Sequence, residues 1–140
     1  MEQLHATIRD NLPRVRERLE DALAAEGFGV LTHIDIQAIL KEKLGLEREA
    51  HHILGVCNPQ LAAQALDADP DIALLLPCTV TLRDVDGATE VRILDPERAF
   101  ELADNAVRKE LEPLARDARR RLAAALEATI DTAPSEGAAS

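Results

Sequence analysis

The sequence predicts an α+β fold: a mainly antiparallel sheet of about five strands with helices packed on one face, element order βαβαβαββα, and a long C-terminal helical segment. Two kinds of apolar spacing predict it, a period of two in the strand segments and steps of three and four between them. The third observation is Asp86-Gly87, a hairpin signal that joins the last two strands antiparallel. Continuous βαβ repetition, the mark of a doubly wound sheet, is largely missing, so helices and sheet should form two layers.

Leu4, Ala6 and Ile8 alternate with His5, Thr7 and Arg9, a short half-buried strand expected at a sheet edge. Asn11 can cap the helix that follows. Leu12, Val15, Leu19, Ala22 and Leu23 give that helix its stripe over roughly 12–26, and Gly27 stops it. From Phe28 the period returns to two, with Phe28, Val30 and Ile34 assigned to one face and Leu31, His33 and Asp35 to the other. Asp35 then caps a helix carrying Ile36, Ile39, Leu40 and Leu44, closed by Gly45. A strand over about 50–57 ends in Cys57. Asn58 is the next cap, and Pro59 suits the first helical position because its missing N–H costs nothing there.

That third helix runs through Leu61, Ala62, Ala65 and Leu66 to a break at Ala68-Asp69-Pro70. Ile72, Leu74, Leu76, Cys78, Val80 and Leu82 then read as one face of the longest strand, and Thr89 to Leu94 returns from the hairpin with Val91 and Ile93 inward. Asp95-Pro96 repeats the cap-and-proline start. Phe100, Ala103, Val107, Leu111, Leu114, Ala118, Leu122, Leu126 and Ile130 extend it as a long helix, with a kink or break expected near Lys109 to Glu112 because Pro113 removes a backbone hydrogen bond. Residues 1–131 are thus expected to form a single domain, and 132–140, without periodicity, a disordered tail.

A chain of 140 residues is one domain's length, and 46% hydrophobic residues exclude a disordered acidic chain. With 16 basic against 26 acidic residues the net charge is −10, and there are two Phe, no Tyr and no Trp, which argues against nucleic acid as a partner. No apolar run approaches ~18 residues, so no membrane span is expected, and MEQLHATIRDNL lacks the order of a secretion signal. The expected location is cytoplasmic, where Cys57 and Cys78 would stay reduced thiols.

Between Gly27 and Pro96 the chain carries GFGVLTHIDI, LKEKLG, ILGVCNP and LLLPC, ending in the DP dipeptide. In this combination it resembles domain-of-unknown-function family 302, small bacterial and archaeal proteins, densely over 27–96 and through the flanking helices over most of the chain. The resemblance implies a compact α+β domain that commonly pairs into a homodimer, and no established reaction. The matching positions are Gly27, Phe28, Gly29, Val30, Ile34, Asp35, Lys41, Leu54, Gly55, Cys57, Asn58, Pro59, Leu76, Pro77 and Cys78. Members often have Glu where this chain has His33 and an aromatic at His51 or His52, so a site there would have other proton or metal preferences here.

Cys57 precedes a helix N-terminus, where unpaired N–H groups and the helix dipole can stabilise a thiolate; it also reads as a small hydrophobe under that helix. Cys78, in a buried strand, reads alone as core. The pair keeps a functional reading open, because the intervening helix and loop let two strands ~4.8 Å apart bring both thiols together. Together with His33 and His51 they would offer a Cys/His set soft enough for zinc or copper; solvated imidazoles at strand starts are the plainer reading. Asp35, Cys57, Asn58 and Cys78 are the expected ligand-binding residues, with caps accounting equally well for Asp35 and Asn58. Lys41 and Glu42 read as a solvated face, and Arg116, Arg119, Arg120 and Arg121 as partners of nearby carboxylates such as Glu112 and Asp117.

These residues point to a homodimeric binding module for a small ligand or metal near Asp35, Cys57 and Cys78, more a binder than an enzyme. The alternative is a thiol protein, redox-active or sulfur-carrying through Cys57 with Cys78 as resolving partner. A third reading is a structural protein paired through its C-terminal helices, whose apolar stripe is longer than one domain requires.

Overall fold

The structure is a computed structural model that describes residues 3–131; the tail expected to be disordered lies outside the described residues. The elements run β1 (Gln3–Ile8), α1 (Leu12–Ala25), β2 (Gly29–Asp35), α2 (Ile36–Leu44), β3 (His51–Cys57) and α3 (Pro59–Ala68). A 3-10 segment (Pro70–Leu75), β4 (Cys78–Val85), β5 (Ala88–Leu94), α4 (Pro96–Ala99), a second 3-10 turn (Phe100–Leu102) and α5 (Asn105–Asp131) complete the chain. The sheet is antiparallel throughout in the order β1-β5-β4-β3-β2, so β1 and β2 are its edges. No helix among the described residues is long and apolar enough to cross a membrane.

The caps read from the sequence make their hydrogen bonds. Asn11 accepts from Arg14 N–H at 3.0 Å, Asp35 from Ala38 at 2.9 Å, Asn58 from Leu61 at 3.2 Å and Asp95 from Glu97 at 2.8 Å, each satisfying a donor the first helical turn leaves unpaired. Gly27, at φ +87°, ends α1 in the left-handed conformation while Phe28 N–H bonds back to Leu23.

One core fills the space between the sheet and the pair α1 and α5. Leu54, Val56, Val80, Leu82, Val91 and Ile93 from the sheet meet Val15, Leu19 and Leu23 of α1 and Leu122 and Ala125 of α5. A second, smaller core joins Ala65 of α3, Ile72 and Leu111 of α5. The far face of the sheet is polar, with Arg83 bridging Glu49 at 3.5 Å and Glu90 at 3.3 Å, and Arg92 paired to Glu90 at 3.0 Å.

Three local expectations are corrected. The strand expected from Ile72 starts only at Cys78. Asp69 caps the preceding 3-10 segment through Asp71 N–H, burying Ile72 but leaving Leu74 87% exposed, so the apparent alternation of 72, 74 and 76 is a coincidence of spacing. The chain break before the last helix falls at Ala103-Asp104, not near Lys109 to Glu112. Pro113 stays inside α5 on its exposed side, where water can satisfy the carbonyl it leaves without a donor. Finally, a register shift between Val30 and Thr32 reverses the faces of β2. Val30 pairs with Val56 and, past the shift, His33 pairs with Leu54 and Asp35 with His52. His33 and Asp35 therefore share the helix-side face with Val30, and Ile34 goes to the other.

Candidate functional site

The register separates the expected site residues into two groups at opposite ends of β3. Cys57 lies opposite Gly29 and Cys78 opposite Val56, whereas Asp35 is paired with His52 and His51 with Arg83. Five strand positions separate His52 from Cys57, roughly 17 Å at ~3.3–3.4 Å per residue. His33, His51, Cys57 and Cys78 are not assembled as one ligand set. Among the described residues, no group of three or more His, Cys, Asp or Glu is placed to hold a metal ion. His51 also faces away from His33, since it occupies the strand parity opposite to Leu54 and His52.

The thiol group forms where β3 ends and β4 begins, beneath α3 and α5. Cys57 and Cys78 line one apolar hollow of about 30 Å³, walled by Phe28, Leu61, Leu76, Phe100 and Leu114. The hollow is small and apolar, so it has room for a small group only. Burial pushes the Cys57 thiol up from its ordinary range. Cys78, more deeply placed, is pushed up to about 11, first by burial and then by the neighbouring Cys57 charge. Desolvation in this apolar wall opposes the thiolate stabilisation that the α3 N-terminus could give Cys57.

Asn58, buried beside Cys57, spends both ends of its side chain on structure. Its oxygen caps α3 and its amide donates to the Glu26 carbonyl at 3.4 Å, a carbonyl that also accepts from Arg121 at 3.2 Å. Asp35 is likewise engaged as the cap of α2. The arginines of α5 behave as carboxylate partners: Arg119 reaches Asp95 at 2.9 Å, while Arg120 and Arg121 both pair with Asp117.

The second group sits at the other end of β3. His33 Nε2 lies 2.5 Å from His52 Nδ1 and 3.2 Å from an Arg16 guanidinium nitrogen, with the two rings stacked. His52 is held below its ordinary pKa chiefly by desolvation under α1. Sequence reasoning missed His52 and Arg16. Leu54 and Val56 are inward by alternation and place His52 with them, a signal legible in the sequence; the β2 irregularity that brings His33 to the same face was not. A larger hollow, about 610 Å³, is an open groove beside α5 lined by Glu97, Glu101, Arg108, Glu112 and Arg116. Its charges are mixed and it carries neither thiol nor imidazole.

Fold and site together define a small α+β protein, an antiparallel sheet backed by helices, with a thiol-bearing apolar hollow at one end. The profile of the family described as "Domain of unknown function DUF302" matches residues 4–129, and the chain belongs to that family. A solved structure described as the crystal structure of uncharacterized conserved protein DUF302 from Bacillus stearothermophilus is similar at 32% identity and a TM-score of 0.81, covering 92% of this chain and 98% of that one. No curated protein matches.

Proposed function

We propose that this protein is a small binding module, one domain over residues 1–131, whose ligand site is the hollow between Cys57 and Cys78. The observation that carries the reading is the wall itself, two thiols set among Phe28, Leu61, Leu76, Phe100 and Leu114 with almost no polar surface. Such a wall selects a small apolar or soft group and rejects charged ones, because an ion entering it would lose its hydration without a partner. Asn58 acts here as the frame that fixes the ends of α1 and α3 around the hollow.

Xenon supplies the test, as a soft apolar atom that enters dry hollows. Under xenon pressure the methyl resonances of Leu61, Leu76 and Leu114 should shift in the wild-type chain and stay still in Leu61→Trp, whose larger ring fills the space. Shifts scattered over the sheet, or equal in both chains, would remove the proposal.

The alternative, a thiol protein using Cys57 with Cys78 as resolving partner, is favoured by the placement of both cysteines on one wall and opposed by their raised pKa values. A protonated thiol is a poor nucleophile. Glutathione-buffered redox titration with mass analysis discriminates the two: an intramolecular disulfide forming at the potential of the thioredoxin class supports the alternative.

We also infer that the protein pairs with a second copy. Much of the long C-terminal stripe is taken up within the chain, where Leu111, Leu122, Ala125 and Leu126 are buried. The surface that favours pairing is edge strand β2 with α2, where Leu31, Ile34, Ile39, Leu44 and Leu46 are all exposed and α2 buries none of its residues. Unpaired edges and clustered apolar side chains are the features by which chains associate.

A further inference from the structure

We propose that His33 and His52 form a binding site for one divalent transition-metal ion of the Cu²⁺, Ni²⁺ and Zn²⁺ class, at the end of the sheet opposite the thiol hollow and independent of it. The register shift in β2 brings His33 onto the face of His52, and the two rings present Nε2 and Nδ1 to each other at 2.5 Å. Two imidazoles binding one metal at ~2.0–2.1 Å and an angle between ~90° and ~110° hold their nitrogens ~2.9–3.4 Å apart. Separating the rings by less than about an ångström, within reach of small side-chain rotations, reaches that geometry.

Carboxylates lie close to the two imidazoles. Glu17 and Glu20 of α1 line the hollow of about 290 Å³ beside His52, and Asp35 is the cross-strand partner of His52. Arg16 donates its contact to His33 from a side chain that already has Glu20 within 3.6 Å, so it has a partner to retain when the metal takes the His33 lone pair. Water completes the coordination of the two-imidazole site, and the Irving–Williams order places Cu²⁺ tightest.

The experiment is calorimetric titration of the full chain with Ni²⁺ and with Cu²⁺. One ion per chain is expected, with affinity reduced at least tenfold in His33→Ala and in His52→Ala, and within twofold of wild type in His51→Ala and in the Cys57→Ser/Cys78→Ser double variant. Binding unchanged in both His33→Ala and His52→Ala, or abolished in the cysteine double variant, would overturn the assignment. In the unmutated chain, Ni²⁺ should broaden the His33, His52 and Arg16 side-chain resonances before any others; broadening centred elsewhere would overturn it without reference to any variant's folding.

Discussion

Asn58 and Glu26 lie 32 positions apart in sequence, yet the Asn58 amide donates to the Glu26 carbonyl at the end of α1 while the Asn58 oxygen caps α3. One side chain thus fixes two helix ends, and a Cβ added at Gly27 would come within 2.9 Å of its nitrogen. Losing an N-cap costs about 1 kcal/mol. Asn58→Ala should therefore lower the unfolding free energy by about 1–2 kcal/mol in urea titration, the Glu26 carbonyl retaining Arg121. Asn58→Asp keeps the cap and should fall between the two. Gly27→Ala should cost at least ~1–2 kcal/mol, since φ +87° is left-handed backbone even before the contact is counted. Equal stability of Asn58→Ala and wild type would show that the cap is not holding α3.

Thiol chemistry should follow burial. With its pKa at about 11, Cys78 is thiolate in about one chain in ten thousand at pH 7. Native-state alkylation by iodoacetamide should be slow at Cys78, faster at Cys57, and fast at both in urea. Stability is linked to the same shift. Below the ordinary thiol value of 9.0 the folded and unfolded chains both hold the Cys78 proton. Above it the unfolded chain loses the proton first, so this contribution declines as pH rises from about 9 towards 11, by up to about 2–3 kcal/mol. Cys78→Ala should flatten that alkaline limb, whereas Cys57→Ser should move it only slightly, burial being the larger cause.

Of the carboxylates held below their ordinary values, Asp10 is the most buried. Its side chain is only 5% exposed, and it takes Arg18 at 2.8 Å and Arg14 at 3.0 Å. The Arg18 hydrogen bond, against the opposing effect of burial, holds the Asp10 carboxyl below its ordinary value of 3.8. A depressed folded-state pKa contributes stability that is complete above the unfolded value and is lost as pH falls through the folded one. Denaturant midpoints measured between pH 7 and pH 2 should fall below about pH 4, and Asp10→Asn should show a shallower fall. At neutral pH that variant should be about 1.5–3 kcal/mol less stable, the usual worth of hydrogen bonds to a charged group. An identical acid limb in both chains would assign acid sensitivity to another carboxylate.

The fold was legible because its punctuation is chemical. Asn11, Asp35, Asn58 and Asp95 are residues whose short side chains reach back to the first helical N–H groups, and each does so. The Asp86-Gly87 turn has both residues at positive φ, as the two-residue hairpin requires. What was not legible depends on tertiary pairing. Nothing at Leu31 announces the irregularity that turns His33 inward, because strand parity is set by the partner strand. The run from Ile72 to Leu76 satisfies a period of two and a 3-10 turn alike, and only the Asp69 cap with Pro70 decides between them. At the candidate site, spacing permitted Cys57 and Cys78 to approach; that the wall around them is apolar enough to keep both protonated follows from Phe100 and Leu114, far along the chain.

Self-association should depend on β2 and α2. Leu31 is 65% exposed on the edge strand and Leu44 67% exposed at the end of α2, so neither contributes much to the stability of a lone chain. Their apolar area is stabilising only when a second surface covers it, at about 25 cal/mol per Å² removed from water. Charged groups placed there would have to be desolvated without partners on association, a cost of several kcal/mol across a two-fold interface where each change appears twice. Leu31→Asp combined with Leu44→Asp should therefore shift sedimentation at micromolar concentration from dimer to monomer while moving the unfolding midpoint of the separated chain little. By contrast Ile130→Asp, on the exposed side of α5, should leave the dimer intact. A wild-type chain that sediments as a monomer would remove the pairing, and a dimer lost in Ile130→Asp but kept in the double variant would move the interface to the C-terminal helix.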